Sequence, residues 1–301
     1  MRTDVVGNIG LDVTPAVVAC ELCSADARHD FDARGFPMYR CPSCRYAFTH
    51  PAPGPAQLAT IYDDSYFAGG GDGMGYADYV AEGPLLRERG FGYGELLRRH
   101  GAGGRVLDVG AAAGFMLQGY IDAGWDGAGI ELNPAMAAHA RERLGLDVRT
   151  GTLESLPAGE LFDAVSFVQV VAHFADPRGA LEHAAKLTRP GGWWLFETWN
   201  CASLTARAFG ATWHAYAPPS AVRALSPRAL DALTGGLGFV PVARGTPRKV
   251  IDARHAKVVL SSLAARSIVA RGLEKLIGLL PGATRLVYPA EDVFWALYRR
   301  R

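Results

Sequence analysis

The chain has 301 residues, of which 49% are hydrophobic, so it is long enough to bury one large core and a small accessory module. Its formal net charge is +1, from 31 Lys and Arg against 30 Asp and Glu, and this balance argues against nucleic acid as a partner. Its first residues lack an apolar run of signal-peptide length, and no stretch of about 18 apolar residues occurs. We therefore expect a cytoplasmic chain without a transmembrane segment.

Residues 1–50 are predicted to contain a small metal-binding module, because four of the five cysteines form two close pairs there. These cysteines are Cys20, Cys23, Cys41 and Cys44. Thiolates three positions apart can turn onto one ion, and two such pairs complete a closed tetrahedral site for a structural Zn²⁺. About 30 residues bury too little surface to fold alone, so the metal would supply the missing stability of this zinc ribbon. The alternative is a pair of redox dithiols, which usually needs a CxxC pair at a strand-to-helix junction.

The sequence also predicts the structure of two segments, one between the cysteine pairs and one after the second pair. Arg34-Gly35, between the pairs, is predicted to form a hairpin turn. Residues 51–100 are predicted to form a linker and a helical lid, in which a stiff, proline-rich connector precedes a short helix near Ile61 and Tyr62.

Residues 101–245 begin with a strand, a glycine loop and a helix. The apolar run Arg105–Val109 contains Asp108, and the loop Gly110–Gly114 leads into helical spacing from Phe115. Small residues are needed in such a loop because the backbone passes close to a ligand, and the helix N-terminus adds free N–H donors. The Asp108 carboxylate would repel a pyrophosphate, but it suits the cationic methionine end of S-adenosylmethionine.

The strand and helix patterns then alternate along the chain. Glu131 ends the second strand, 21 positions after Gly110, where a ribose-binding carboxylate is expected. Further strands are predicted at 147–153, 162–169 and 193–198. This alternation predicts a doubly wound, mostly parallel α/β sheet whose ligand lies beyond the carboxyl ends of the strands.

The ordered segments VLDVGAAAG, GIELNP, FDAVSFVQVVAHFADP and RPGGWWLFET resemble the motif set of class I S-adenosylmethionine-dependent methyltransferases. Together with the cysteine pairs and HPAPGPAQLATIYDDSYF, they resemble the zinc-module methyltransferases associated with sugar or natural-product methylation. The resemblance covers residues 20–245 and implies a Rossmann-like, seven-stranded sheet. It is specific for the fold and the cofactor, and unspecific for the acceptor.

The resemblance also implies which residues surround S-adenosylmethionine. The methionine part would lie against Asp108, Gly110, Gly114 and Phe115, the ribose hydroxyls against Glu131, and the adenine against Leu132, Thr152 and Leu153, with Gln169 near the sulfonium and Tyr66 and Tyr76 as a lid.

Three residues are candidates for the acceptor side. Methyl transfer requires alignment of donor and acceptor, and it requires a base only where the acceptor must lose a proton. His173 follows the fourth strand, and His214 and Tyr216 follow the fifth. The alternative for each is an ordinary packing role.

Two departures from the relatives affect the catalytic side. Relatives often have Glu-His where this chain has Ala172-His173, and Pro-Glu-His where it has the segment 219–221, Pro-Ser-Ala. A histidine that could act as acceptor base is therefore missing from the second position.

Residues 246–301 are predicted to form a helical cover and a last, antiparallel edge strand at 292–298. The segment 255–280 has an apolar side interspersed with Lys and Arg, which favours one or two helices that cover the core. A dimer face or a helix on a membrane surface is the alternative, and the oligomeric state stays open.

Three functional hypotheses remain. The leading one is methylation of a small-molecule acceptor: a sugar, a nucleotide-sugar or a natural-product intermediate. An RNA methyltransferase whose zinc module grips nucleic acid is disfavoured by the near-neutral charge and by the absence of an Asn-Pro-Pro-Tyr type motif. A cofactor-binding scaffold without catalysis is suggested by the missing histidine and the alanine-rich loop.

Overall fold

A computed structural model describes residues 14–54, 57, 60–67, 76, 78–253, 257, 268–282 and 284–301. Part of the predicted apolar segment 255–280, including Val259 and Leu263, lies outside these residues.

The N-terminal module is an antiparallel sheet. Its strands are β1 (Val17–Ala19), β2 (Asp26–Ala33), β3 (Phe36–Arg40) and β4 (Ala47–Thr49). Arg34 and Gly35 join β2 to β3, and both have a left-handed backbone, with φ of 51° and 82°. A two-residue hairpin favours this conformation because it matches the twist of the strands. The predicted turn is confirmed.

The remaining strands are β5 (Arg105–Val109), β6 (Asp126–Glu131), β7 (Asp147–Thr150), β8 (Phe162–Val168), β9 (Thr188–Trp199), β10 (Arg223–Ala224), β11 (Phe239–Gly245), β12 (Arg248–Asp252), β13 (Arg285–Pro289) and β14 (Val293–Arg300). The helices are α1 (Asp64–Phe67), α2 (Gly83–Arg99), α3 (Phe115–Asp122), α4 (Pro134–Leu144), α5 (Pro177–Leu187), α6 (Leu204–Phe209), α7 (Pro227–Gly235) and α8 (Ile268–Gly278).

The central sheet has seven strands in the order β11-β14-β9-β8-β5-β6-β7. From β7 to β9 all neighbours are parallel, whereas β14 is antiparallel to both β9 and β11. The helices α4, α5 and α7 begin directly after Asn133, Asp176 and Ser226, whose side chains accept hydrogen bonds from the first turn. The predicted Rossmann-like α/β fold is confirmed.

Two details of the sheet differ from the sequence prediction. The strand predicted to begin at Trp193 begins at Thr188, which pairs with Phe162, and its buried hydroxyl accepts a hydrogen bond from the Trp194 indole at 2.8 Å. The last strand is antiparallel as predicted but does not lie at the edge, because β11 pairs along its outer side.

Helices α2 and α3 cross at close range through glycines. A Cβ atom at Gly90 would lie 2.2 Å from the carbonyl oxygen of Met116, and one at Gly119 would lie 2.2 Å from that of Arg87. Such distances exclude any side chain at these two positions. The crossing fixes α2 against the sheet and thereby places Arg89 at the strand tips.

The N-terminal module shares its core with the central sheet. Strand β10 pairs with β4 and so joins the module to the chain beyond β9. Tyr39, Tyr46 and Phe48 of the module lie in one buried apolar cluster with Leu181 and Leu225. The module is therefore continuous with the main domain.

Candidate active site and metal centre

A cavity of about 1090 Å³ lies at the carboxyl ends of the parallel strands. Gly110, Glu131, Gln169 and Trp199 line it from the tips of β5, β6, β8 and β9. This is where a doubly wound sheet binds its ligand. The volume is sufficient for a nucleotide-sized donor together with a second small molecule.

The carboxylate of Glu131 is held in a fixed orientation. One oxygen accepts a hydrogen bond from the backbone N–H of Ala112 and the other from that of Asn133, both at 2.8 Å. Burial raises the pKa of Glu131, while these backbone N–H groups oppose that rise. Each oxygen keeps a second lone pair, so the group can accept hydrogen bonds from ligand hydroxyls.

The loop after β5 turns through left-handed backbone. Gly110 has φ of 73° and lines the cavity, whereas Gly114, with φ of 87°, packs against Ala140 and Leu146. Ala112, where a glycine is common in relatives, adopts φ of 47° and also lines the cavity. Phe115 packs behind the loop against aromatic residues of the lid, outside the cavity lining.

Asp108 lies just beneath this loop and is only 3% exposed. Its pKa is raised to about 7, chiefly by burial; a hydrogen bond to Ser166 opposes the rise, and the charge of Glu131 contributes to it. Among the residues that the structure describes, no cation is paired with this carboxyl group. It therefore fits a site that receives a positively charged ligand.

A buried network centred on Glu197 supports the middle of the cavity. The Glu197 side chain is fully buried and accepts hydrogen bonds from Arg89, Tyr93 and, at 2.7 Å, the amide of Gln169. Gln169 has a left-handed backbone, with φ of 55°, and its N–H donates to the Glu197 carbonyl at 2.8 Å. Such a conformation is uncommon for a non-glycine residue and recurs at functional sites.

Sequence analysis singled out Gln169 but missed Arg89 and Glu197. The one available signal was a charged residue inside the otherwise apolar strand WWLFET.

Aromatic residues close one side of the cavity. Tyr66 and Tyr76, predicted as a lid, both line it, with ring centroids 6.0 Å apart, and Tyr79 packs against Tyr76 at 4.7 Å. The Asn133 amide donates to the carbonyl of Tyr62 and to the carboxylate of Asp64, both at 3.1 Å. Asn133, two residues after Glu131, thus anchors the segment that carries Tyr66.

His173 lies in the cavity wall and is held through Nδ1. This atom is 2.8 Å from the carbonyl oxygen of Ser220 and 2.6 Å from the hydroxyl of Tyr62, which donates to the same carbonyl. Burial lowers the pKa of His173, so the imidazole is neutral at neutral pH. Ser220 belongs to the segment where relatives carry Pro-Glu-His, so that segment does reach the cavity.

His214 also lines the cavity, beside Trp199. Their rings meet edge to face with centroids 4.6 Å apart. His214 Nε2 lies 3.8 Å from Oδ2 of Asp292, which is buried and accepts a hydrogen bond from the Trp213 indole at 3.2 Å. This pairing supplies an orienting carboxylate that sequence analysis had not found.

The structure does not bring every predicted site residue to the cavity. Tyr216 lies outside the lining, and its hydroxyl accepts a hydrogen bond from Arg40 of the N-terminal module at 2.9 Å. Asp108, Gly114 and Phe115 also lie outside the lining. Lining residues that were predicted are Tyr66, Tyr76, Gly110, Glu131, Leu132, Thr152, Leu153, Gln169, His173 and His214.

The charged side chains that line the cavity are mainly acidic. Its carboxylates are those of Glu82, Glu88, Glu131, Glu154 and Asp176, and one arginine, Arg89, stands against them. This charge favours cationic or neutral ligands and disfavours phosphate chains.

The four predicted cysteine ligands converge in the N-terminal module. All four Sγ atoms lie within 4.8 Å of one another, with Cys20 and Cys44 at 3.7 Å and Cys23 and Cys41 at 3.5 Å. A tetrahedral zinc–thiolate site requires sulfur atoms about 3.8 Å apart, so this arrangement fits the ion. The fifth cysteine, Cys201, is buried elsewhere and contacts the carbonyl of Arg45 at 3.2 Å.

A mixed seven-stranded sheet with its ligand cavity at the strand tips defines the Rossmann-like methyltransferase architecture. The chain belongs to the methyltransferase family: a family model described as "Methyltransferase domain" matches residues 90–243, slightly more than half of the chain.

Curated relatives carry the same kind of domain. The chain is 34% identical over 111 residues to a ubiquinone biosynthesis O-methyltransferase of Parvibaculum lavamentivorans, which covers 35% of the chain and 44% of the relative. It is 33% identical over 105 residues to the protein of that name from Alkalilimnicola ehrlichii, covering 33% and 42%. The chain thus spans less than half the length of these relatives.

A solved structure shares the fold. The magnesium protoporphyrin IX methyltransferase of Synechocystis PCC 6803, solved with bound SAH, superimposes with a TM-score of 0.51 at 14% identity. The match covers 80% of this chain and 99% of that one. Among the residues that the structure describes, no helix has the length and apolar character needed to span a bilayer.

Proposed function

We propose that this protein transfers a methyl group from S-adenosylmethionine to a small-molecule acceptor. The observation that carries the proposal is the pair of buried carboxyl groups, Asp108 and Glu131, at the tips of adjacent parallel strands. One has no cationic partner among the described residues, and the other presents fixed oxygens to the cavity, as the amine and the ribose of that cofactor require. When bound, the cofactor supplies an electrophilic methyl group on a sulfonium.

The donor end of the cavity follows from these contacts. Glu131 would accept hydrogen bonds from the ribose hydroxyls, and Leu132, Thr152 and Leu153 would flank the adenine. Gly110 lets the backbone approach the methionine part, and Gln169 is held by Glu197 between the donor end and the rest of the cavity. Tyr66 and Tyr76 would exclude water above them.

The acceptor end lies between His173 and His214. Alignment does most of the catalysis in a displacement of this kind, and a base acts where the nucleophile carries a proton. His214 would take that proton at a ring nitrogen, with the Asp292 carboxylate nearby to stabilise the charged ring. His173, neutral and held by Ser220, is the second candidate. Tyr216, directed towards Arg40, would act on the acceptor only from outside the cavity lining.

The acidic lining supports a small-molecule acceptor rather than RNA. Phosphates need clustered Lys and Arg, and the cavity presents the opposite charge. The relatives named as ubiquinone biosynthesis O-methyltransferases support a hydroxyl group as the accepting atom. Sugars and natural-product intermediates offer such groups, whereas a nucleotide-sugar also carries the phosphate chain that this lining disfavours.

Donor binding tests the site. Glu131→Gln keeps the side-chain volume but removes the charge, so we expect about 10- to 100-fold weaker binding of S-adenosylhomocysteine in titration calorimetry. Glu142→Gln, on the exposed face of α4, is the matched control and should bind as the wild type does. Equal affinity for both variants would contradict the assignment of Glu131.

Turnover tests the reaction. The full chain is incubated with isotopically labelled donor and metabolite extracts, and mass spectrometry identifies labelled products. We expect a labelled small molecule whose formation needs the intact cavity. Donor binding without any labelled product would favour a cofactor-binding scaffold, and label in RNA that is lost at high salt would favour an RNA methyltransferase.

We further propose that the four cysteines hold a structural Zn²⁺. The closed set of thiolates leaves no position for a substrate, so the ion would stabilise the module. Cys41→Ser should lower the metal content well below one ion per chain and lower the unfolding midpoint by about 5 °C or more. Cys201→Ser, which alters a buried cysteine outside the cluster, should keep the metal; equal metal loss in both variants would contradict the site.

A further inference from the structure

A buried arginine links the cysteine module to the wall of the cavity. Arg223 in β10 is 3% exposed and forms a bidentate ion pair with Glu21, with Nε–Oε1 at 2.6 Å and Nη2–Oε2 at 3.1 Å. Glu21 lies between Cys20 and Cys23, so the carboxylate that Arg223 binds sits inside the first metal-binding loop.

The other side of the same guanidinium binds the cavity wall. Nη1 donates to the carbonyl of Phe174, and Nη2 donates to that of Ala175 at 2.9 Å. Both residues line the cavity and directly follow the turn Val171–His173. One side chain therefore fixes the backbone that carries His173.

The position of Glu21 depends on the closed form of the cysteine loop. Within that loop the Ser24 N–H donates to the Cys20 carbonyl at 2.8 Å, and the hydroxyl of buried Tyr46 also donates to the Glu21 carboxylate. If the thiolates lose their metal and the loop opens, the carboxylate shifts with it. Arg223, which cannot release its proton, is then a buried cation without a counter-charge.

An unpaired buried guanidinium must move towards water, since burial of an isolated charge is costly. Moving would break its bonds to the carbonyls of Phe174 and Ala175, because one guanidinium group makes both sets of contacts and its Nη2 is shared between Glu21 and Ala175. The 171–176 segment would then lose the contacts that hold it against the cavity.

We infer that the cysteine module holds the acceptor side of the cavity in place through Arg223, which acts as a positioning residue. The inference rests on the proposed metal site and on the proposed acceptor end of the cavity. It gives the metal a role beyond the stability of its own module: occupancy of the four-cysteine site determines the order of the wall that carries His173.

Hydrogen exchange read by mass spectrometry on the full chain tests the inference without knowledge of the acceptor. On chelation of the metal, peptides covering 171–176 should exchange about tenfold faster, whereas those covering the loop 110–114 should not change. Arg223→Met with metal retained should show the same local increase. Arg300→Met is the matched control, because Arg300 also donates to two backbone carbonyls, those of Ala185 and Thr188, neither of which lines the cavity.

Unchanged exchange at 171–176 after metal removal, or in Arg223→Met, would overturn the inference. If Arg223→Met does not fold, Glu21→Gln takes its place, since it removes the charge that Arg223 binds, and the same local increase is expected. Arg223→Lys, which keeps a cation but loses the fork of donors, should give partial rescue.

Two parallel measurements separate this inference from the proposed function. Metal content by elemental analysis shows whether the cysteines bind zinc, and a metal-free wild type would refute the metal-dependent half of the inference. Calorimetry with S-adenosylhomocysteine should give wild-type affinity, within about twofold, in Arg223→Met. If the wild type does not bind S-adenosylhomocysteine, the methyltransferase proposal is refuted, whereas the hydrogen-exchange result remains valid.

Discussion

Asp108 lies just beneath the cavity lining, and it is the residue whose ionisation we expect to change when the donor binds. Its pKa of about 7 is a consequence of burial, so in the free chain the carboxyl holds its proton below that pH. A cationic amine binds the ionised form preferentially. Binding therefore releases a proton at low pH, and affinity should fall as the pH falls.

The expected size is about a tenfold loss of S-adenosylhomocysteine affinity per pH unit below about pH 7, measured by calorimetry between about pH 6 and 8. Asp108→Asn cannot ionise, so it should bind weakly and with no such slope. A wild-type affinity that stays constant over this range would show that Asp108 does not face the cation.

Gln169 and Glu197 show what a single residue can reveal and what it cannot. Gln169 could be placed from the sequence because it ends a strand that the apolar pattern makes visible. The sequence could not predict its strained backbone or its hydrogen bonds to Glu197. Arg89, Gln169 and Glu197 come from three parts of the chain separated by up to 108 positions. No local pattern encodes such a meeting.

The crossing of helices α2 and α3 places Arg89 at the tips of the strands. Gly90 has no room for a Cβ atom because the Met116 carbonyl lies in its way, whereas Gly92, two residues on, has nothing within 4 Å. Substitution by alanine should therefore change the free energy of unfolding in opposite directions at these two glycines, although both lie in one helix.

We expect Gly90→Ala to lower the free energy of unfolding by about 1–3 kcal/mol through overpacking. Gly92→Ala should raise it by about 0.5–1 kcal/mol, because alanine is the better helix former. Urea denaturation of both variants provides the measurement. Stabilisation by both substitutions would mean that the two helices do not approach so closely.

The helix α8 is the element for which sequence reasoning proved least informative. Its alternating apolar and basic residues favour a cover over the core, but Leu276 in the helix and Leu279 just after it are 64% and 82% exposed. Amphipathic periodicity shows that a helix has an apolar side without identifying what that side contacts.

The whole chain combines the cysteine module and the α/β sheet in one folding unit, within the residues described. Aromatic residues of the module share an apolar cluster with the main domain, β4 pairs with β10, and Ser226 donates to the Cys44 carbonyl at 3.0 Å. Neither part keeps its buried surface if the other unfolds.

Calorimetric unfolding of the metal-bound chain should therefore show one transition that includes the module, and chelation should lower its midpoint as a whole. Tryptophan fluorescence and far-UV circular dichroism should report the same midpoint. Two well-separated transitions would show that the module melts on its own.

The sequence by itself determined the order of strands and helices, the cysteine pairs, the hairpin at Arg34-Gly35 and the acidic residue that ends β6. These features depend on apolar periodicity, turn chemistry and fixed spacing, which act over a few residues. Only the tertiary structure decided that β14 lies inside the sheet, that Tyr216 turns to Arg40, that Asp292 lies beside His214, and that Arg223 joins the first cysteine loop to the cavity wall. Those outcomes depend on which distant surfaces bury one another, since the desolvation of apolar and charged groups depends on packing rather than on distance along the chain.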